Sequence, residues 1–370
     1  MLSFRFRFSL RLMFAAITVV ALLFGGFVWF VMFLSRIPQG VELVTEITPS
    51  SSGDHIAFVA YHGGYDDKWS GVRDFLAQYT GHYAYPESVR LLLMNTSDGK
   101  TTDLGPGELA SRSIAWTKND SLLAFVPGDF RPYDNRNRIH FCKISSGVSE
   151  EVFVGSDWYI HSLCFSPDGK SLAFVENYNS RNLTILDLDE RSTTVLASGV
   201  NGSYLKWSVD GNSVFCIRNG LEIWELGVNE PSESLLFKGK DMDENYPYFL
   251  VPSPDGQQLG FGFDRGFHSL DLLTGKTEKC FDCDHYFLTF DWSESGICYL
   301  DAMAKERKTA ARVMVYDPIT QANREVAVGP FADVSWLRKG VLILRKDNDE
   351  LWELTIHDRK MKRLFPESEN

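Results

Sequence analysis

Apolar residues along this chain fall in short runs bounded by turn residues, and the clearest example lies between Ser166 and Val175. There Ser166-Pro167-Asp168-Gly169 precedes Leu172-Ala173-Phe174-Val175, which predicts a strand, a tight turn and a second, buried strand. Pro167 presets φ for the first corner, Asp168 can bond its own backbone, and Gly169 supplies the positive φ that closes a hairpin with the right twist. Trp207-Ser208-Val209-Asp210-Gly211 and Pro252-Ser253-Pro254-Asp255-Gly256 repeat the arrangement, with worn copies beginning at Thr48, Trp116, Trp292 and Trp336. From Trp116 the anchors fall at Phe165, Trp207, Pro252, Trp292 and Trp336, on average 44 residues apart.

That period is the argument for the fold. Each unit carries a second apolar strand ending in a polar turn, as in Leu186-Asp187-Leu188-Asp189-Glu190, Leu270-Asp271-Leu272-Leu273-Thr274-Gly275-Lys276 and Val315-Tyr316-Asp317-Pro318. Two hairpins per period make four strands, and roughly 40 to 45 residues make one propeller blade. A β-sandwich repeats its turn signals every 8 to 12 residues or so but needs no longer period. The expected fold class is all-β: a single β-propeller over residues 41–366 with seven blades, six being the alternative, and a tail at 367–370. Blades two to six are expected at Ile114–Gly155, Leu163–Gly199, Leu205–Gly239, Phe249–Asp284 and Leu288–Gly329, and blade seven from near Val334 to Phe365.

The unit lengths are uneven. Between Thr48 and Trp116 the first unit holds an insertion at His62–Ser88, where Trp69, Val72, Phe75, Leu76 and Tyr79 recur at helical spacing among Tyr61, Tyr65, Tyr83 and Tyr85. Blade two carries a shorter one, Pro127–Arg138, with Arg131, Arg136 and Arg138 around Tyr133, and blade six has Lys305-Glu306-Arg307-Lys308. In a four-stranded meander these insertions join second to third strands, on the same face as the fourth-to-first connections. Loops on a rigid scaffold are where binding residues usually lie, so that face is the expected working surface. Tyr65, Trp69, Tyr83, Tyr85, Arg131, Tyr133, Arg136, Arg138, Trp158 and Tyr178 are its candidate partner-binding residues.

Ahead of the repeats the pattern changes. Residues 1–11 are basic, residues 12–34 form an uncharged run, and residues 35–40 are a short tether. An uncharged run of 23 residues exceeds the roughly 20 helical residues that span a bilayer. The expectation is an uncleaved transmembrane signal-anchor helix. Arg5, Arg7 and Arg11 precede the run and only Arg36 follows, which puts the N-terminus in the cytoplasm and the propeller outside it, in the periplasm if the source is bacterial.

Composition narrows the rest. The net charge is −12, and −16 without those four arginines, so binding to nucleic acid by charge is not expected. Cys142, Cys164, Cys216 and Cys298 lie in apolar strands as small hydrophobes, and Cys280-x-x-Cys283 has no second pair to complete a zinc site, leaving inert thiols or a local disulfide. No cofactor or metal is expected. Asp241-Met242-Asp243-Glu244-Asn245 begins like a calcium loop, yet Tyr246 stands where glycine is required and Pro252 where the glutamate should fall. No nucleophile elbow, zincin helix or phosphate loop is present, so no catalytic residue is named.

The run Phe165-Ser166-Pro167-Asp168-Gly169-Lys170-Ser171-Leu172-Ala173-Phe174, followed by Leu183-Thr184-Ile185-Leu186-Asp187-Leu188, resembles the WD40-like repeat of the periplasmic TolB family, also present in the propellers of prolyl-oligopeptidase-type peptidases. The resemblance is strongest in blades three to five. It implies the fold and, from TolB-type proteins, protein binding through the propeller. The expected function is therefore a membrane-anchored scaffold, not an enzyme, that binds a protein, or a peptide or glycan, through its insertion-bearing face. The alternative is a lactonase- or lyase-type propeller with Asp157, His161, Asp241, Asp243, Asp284 or His285 gathered at the channel.

Overall fold

The structure, a computed structural model, describes residues 42–62, 88–106, 113–127, 137–155, 160–176, 181–239, 247–263, 265–283, 289–302, 310–346 and 350–365. Nearly all belong to one compact unit, Leu43–Ala60 with Val89–Asn370. They form seven antiparallel four-stranded sheets, each a meander of consecutive strands. Seven is the blade count expected from the repeats, and six, the alternative, is set aside.

Blade one is β1 (Glu42–Pro49), β2 (His55–His62), β3 (Ser88–Asn95) and β4 (Thr101–Pro106). Blade two is β5 (Ile114–Trp116), β6 (Leu122–Phe125), β7 (Arg138–Lys143) and β8 (Val148–Val154). Blade three is β9 (Ile160–Phe165), β10 (Ser171–Glu176), β11 (Asn182–Asp187) and β12 (Thr193–Ala197). Blade four is β13 (Val200–Trp207), β14 (Ser213–Arg218), β15 (Glu222–Gly227) and β16 (Glu233–Lys238). Blade five is β17 (Tyr248–Pro252), β18 (Gln258–Phe263), β19 (Gly266–Asp271) and β20 (Thr277–Asp282). Blade six is β21 (Phe290–Ser293), β22 (Gly296–Ala302), β23 (Ala311–Asp317) and β24 (Ala322–Gly329). Blade seven is β25 (Phe331–Arg338), β26 (Val341–Lys346), β27 (Leu351–Thr355) and β28 (Lys360–Phe365).

Burial explains why these strands read as they do. Second strands such as β10 and β14 are buried along nearly their whole length, because both of their faces are covered by neighbouring blades. Fourth strands such as β12 and β16 are largely exposed and form the outer edge. First strands touch one another from blade to blade, β5 with β9, β9 with β13, β13 with β17, and so form the inner ring. Apolar cores fill the gaps between blades. Phe141 and Ile139 of blade two meet Phe165 and Phe174 of blade three, and Val334 and Trp336 of blade seven meet Val313 and Leu300 of blade six.

Two devices built from the repeat hold this together. In the first hairpin of blade three, the Ser166 hydroxyl donates to Asp168 at 2.6 Å, Asp168 accepts the Lys170 N–H at 3.0 Å, and the Ser171 N–H donates back to Ser166 Oγ at 2.9 Å. Blades four and five repeat it through Ser208 with Asp210 and Ser253 with Asp255. The repeat tryptophans have a role the sequence did not reveal. The indole N–H of Trp116 donates to Thr48 O at 2.9 Å, that of Trp207 to Cys164 O at 2.8 Å, and that of Trp336 to Gly296 O at 3.1 Å, in each case on the preceding blade.

Every blade is a meander of its own consecutive strands, and among the described residues no strand crosses between blades one and seven. Packing joins them instead: Ile56, Phe58, Ala60 and Met94 interlock with Leu337, Ile343, Leu351, Leu364 and Phe365. Gly53, at φ +76°, lies so close to blade seven that a Cβ there would stand 2.2 Å from Leu337 O.

The strand order divides the connections between two faces. The first-to-second and third-to-fourth turns lie on one, here the hairpin face. The strand ends that the second-to-third and fourth-to-first connections join lie on the other, the connection face, and the insertions expected there, at residues 63–87, 128–136 and 303–309, lie outside the described residues. No helix of the described residues is long and apolar enough to cross a membrane, and the run 12–34 lies outside them.

Candidate functional site

The inner ends of the first strands at the connection face provide the most distinctive described surface. Their regular pairing is broken there. β9 has a register shift in its pairing with β10 and places Ser162 at φ +60°, and β17 shifts between Tyr248 and Leu250 with Phe249 at φ +53°. A left-handed conformation is a genuine outlier for a bulky residue such as phenylalanine, and residues of this kind cluster where a side chain must be re-aimed.

Here the bulge aims an aromatic ring. Phe249 packs on Tyr204 of blade four at 5.2 Å between ring centroids and on Phe290 of blade six at 5.5 Å. Phe267 supports Phe290 edge-on at 4.8 Å. Tyr204 and Phe249 are half-buried while Phe290 is buried, so an aromatic arc crosses three successive inner strands and keeps part of its surface open. Offset and tilted geometries of this kind are the favourable ones for aromatic pairs.

Charges at the same face are mostly committed to partners. Asp301, near the end of β22, is the one charged residue among the buried described residues, and Arg312 pairs with its Oδ2. Two blades share a further cluster. In blade four, Trp224 donates its indole N–H to Glu222 at 3.1 Å, Lys238 binds the same carboxylate at 2.8 Å, and the Arg218 guanidinium lies 5.0 Å from the indole centre. In blade seven, Trp352 donates to Glu350 at 2.9 Å, Arg363 binds Glu350 at 3.2 Å, and Lys346 Nζ stands 3.8 Å over the indole. The sequence signal was present as Glu222-Ile223-Trp224-Glu225-Leu226 and Glu350-Leu351-Trp352-Glu353-Leu354.

Of the sequence-derived partner-binding candidates, Arg138 alone falls among the described residues; Tyr65, Trp69, Tyr83, Tyr85, Arg131, Tyr133, Arg136, Trp158 and Tyr178 lie outside them. Arg138 opens β7 and is engaged by Glu151, which also approaches His140 at 3.9 Å. Burial lowers the His140 pKa, with Arg138 adding to the effect and Glu151 opposing it. Of the acidic and histidine set weighed for a lactonase- or lyase-type centre, the described member is His161, whose Nδ1 lies 3.2 Å from Ser162 Oγ. No group of three or more His, Cys, Asp or Glu residues suited to a metal ion occurs among the described residues.

The cysteines are free thiols, Cys280 and Cys283 included. Burial pushes the Cys216 thiol up to about 12 and the Cys280 thiol up to about 11, and raises Cys298 well above its ordinary value. Protonated, inert sulfur is the reading that follows. The repeat aspartates are equally structural: the serine hydroxyl first, and then backbone N–H groups, hold the carboxyls of Asp168, Asp210 and Asp255 below their ordinary range.

No protein-family model matches the sequence, and no curated protein is similar to it. Solved structures are similar in fold. Puromycin hydrolase matches with a TM-score of 0.63 at 15% identity over 89% of this chain and 54% of its own. The β-propeller domain of the Trilobed protease from Pyrococcus furiosus, described as having an open velcro topology, matches at 0.61 and 12% over 90% of this chain and 100% of its own. The tricorn protease matches at 0.60 and 12% over 87% of this chain. The chain spans 34% of the length of the tricorn protease and about half that of puromycin hydrolase. Identities this low carry the propeller fold. They also correct one expectation: the solved propellers resembled here belong to a hydrolase and two proteases, so the lack of a familiar catalytic motif does not set this chain apart from enzymes.

Proposed function

We propose that the chain is a membrane-anchored, extracytoplasmic propeller whose connection face recognises a polypeptide, either an extended segment or a folded partner. The observation that carries this reading is the aromatic arc of Tyr204, Phe249 and Phe290, set across the first strands of three successive blades. Aromatic residues are enriched at the cores of protein interfaces, and ordered strands present them at little further entropic cost. Tyr65, Trp69, Tyr83, Tyr85, Tyr133, Trp158 and Tyr178, in the chain segments between strands, are proposed to extend the contact surface, and residues 12–34 to hold the chain in a bilayer.

The test is binding of the full chain, reconstituted in lipid nanodiscs, to an array of unstructured peptides. Tyr204→Ala should weaken capture about tenfold, the loss expected for an aromatic hot spot, while Leu273→Ala at a hairpin-face tip, where Leu273 is 94% exposed, leaves it unchanged. Capture that is absent in the parent protein, or equal in both variants, overturns the reading.

A further inference from the structure

We propose that the outer edge of blade seven is a second docking site, at which β28 pairs with an extended acidic segment of a protein partner. The site lies at the rim of the propeller and is independent of the surface proposed above.

The outer strands differ in charge. β4, β8, β16, β20 and β24 each hold at least one carboxylate, such as Asp103, Glu151 and Glu233, and β12 is uncharged. β28, Lys360-Met361-Lys362-Arg363-Leu364-Phe365, is the one outer strand with basic residues and no acidic one. The turn that leads into it adds Arg359, and the first turn of the same blade adds Arg338 and Lys339. Nearby carboxylates are committed. Glu353, opposite Lys362 in register, holds Arg338 at 2.8 Å, and Glu350 holds Arg363 at 3.2 Å. Asp358 meets Lys360 at 3.2 Å, yet the Lys360 side chain is 82% exposed. Lys362 is exposed and makes no ion pair among the described residues.

Backbone and side chains together select the occupant. β28 is the last strand of its sheet, so among the described residues its outer edge presents main-chain N–H and C=O groups that an added strand can bond. Lysines on such an edge repel basic strands, a second β28 included, whereas opposite charges directly across a strand pair attract. Successive side chains alternate between the sides of a strand. Lys360 and Lys362 therefore share one side, and Met361, 37% exposed, stands between them on the other. The matching segment alternates acidic and apolar residues. The net charge of −12 does not prevent this, because in about 0.1 M salt charges beyond roughly 10 Å are screened and the local basic cluster decides. The exposed half of β28 adjoins the hairpin face, while Leu364 and Phe365, toward the connection face, are buried in the seam with blade one.

The experiment uses the full chain in phosphatidylcholine nanodiscs and a fluorescent peptide of alternating glutamate and valine, with binding read by anisotropy. Lys362→Glu should weaken binding about tenfold or more, and Lys362→Arg should keep it. Tyr204→Ala should have no effect. Of two further peptides, N-methylated at the valines or at the glutamates, one should lose binding and the other keep it, since alternate residues of a strand bond to a given neighbour. No binding to the parent protein, insensitivity to Lys362→Glu, or equal effects of the two methylations overturns the site. A loss in Tyr204→Ala assigns the peptide to the connection face, which overturns the rim site and leaves the function proposed above standing. Capture of phosphatidylserine vesicles through Lys362, with no binding of the peptide, overturns it in favour of a lipid surface.

Discussion

Phe58 of blade one and Phe365 of blade seven meet with ring centroids 5.0 Å apart, across a seam that no strand among the described residues spans. Side-chain packing joins the first blade to the last there, so the seam is as strong as its close-packed core. Phe58 is fully buried. Phe58→Ala is therefore expected to cost about 3 to 5 kcal/mol in urea unfolding, the range for a buried phenylalanine cut to alanine. A loss under about 1 kcal/mol would mean that the two blades do not pack as described.

The indole bonds between blades give a smaller effect of different origin. Trp207→Phe keeps most of the ring in its core but removes the donor to Cys164 O. The carbonyl then loses its partner in a part-buried place, which is expected to cost about 1 to 3 kcal/mol. Equal stability of Trp207→Phe and the parent protein in chemical unfolding would count against the bond.

Much of this scaffold could be read from the sequence because its signals are local. Asp168 and Gly169 announce a hairpin whichever blade follows, and the 44-residue spacing of the anchors favours seven blades over six, the number of sheets observed being seven. What those anchors do was not legible. Trp116, Trp207 and Trp336 bond residues 40 to 68 positions away, and nothing in the local pattern points to the preceding blade. The aromatic arc was hidden for a related reason. Tyr204, Phe249 and Phe290 each stand in an apolar run and read as core, and a strand bulge that turns Phe249 into the left-handed region leaves no mark in hydropathy.

Stability should fall in acid through the repeat turns. The Asp168, Asp210 and Asp255 carboxyls have pKa values lowered in the fold, first by their serine hydroxyls. A depressed folded-state pKa contributes stability that is fully present above the unfolded value, near 4, and is lost as pH falls through the folded value. Urea midpoints measured from pH 7 down to pH 2.5 should drop below about pH 4. The triple variant Asp168→Asn, Asp210→Asn, Asp255→Asn should show a shallower decline, and parallel curves would remove these turns as the cause.

Thiol chemistry offers an inexpensive check on the blade cores. With Cys216 pushed up to about 12 and Cys298 fully buried, neither presents a thiolate at pH 8. Iodoacetamide should leave both unmodified in the native protein and alkylate both in urea, as read by peptide mass spectrometry. Alkylation of native Cys216 at the rate of an unfolded peptide would contradict the packing between blades three and four.

Phe249 separates recognition from stability. Its φ of +53° costs of order 1 to 3 kcal/mol for a residue that is not glycine, whereas asparagine tolerates that region well. Its contacts with Tyr204 and Phe290 return about 0.5 to 1.5 kcal/mol each beyond ordinary burial. Phe249→Asn relieves the backbone but forfeits both the contacts and the partial burial of the ring, so the relief offsets only part of the loss and the net cost should be about 1 to 2 kcal/mol. Binding has no such compensation, because the ring itself is the central member of the proposed surface. The variant should keep its unfolding midpoint within a few degrees of the parent's and lose about tenfold or more in peptide capture. A variant that unfolds readily would show that Phe249 serves the core, and one that binds as tightly as the parent would remove the arc from the recognition surface.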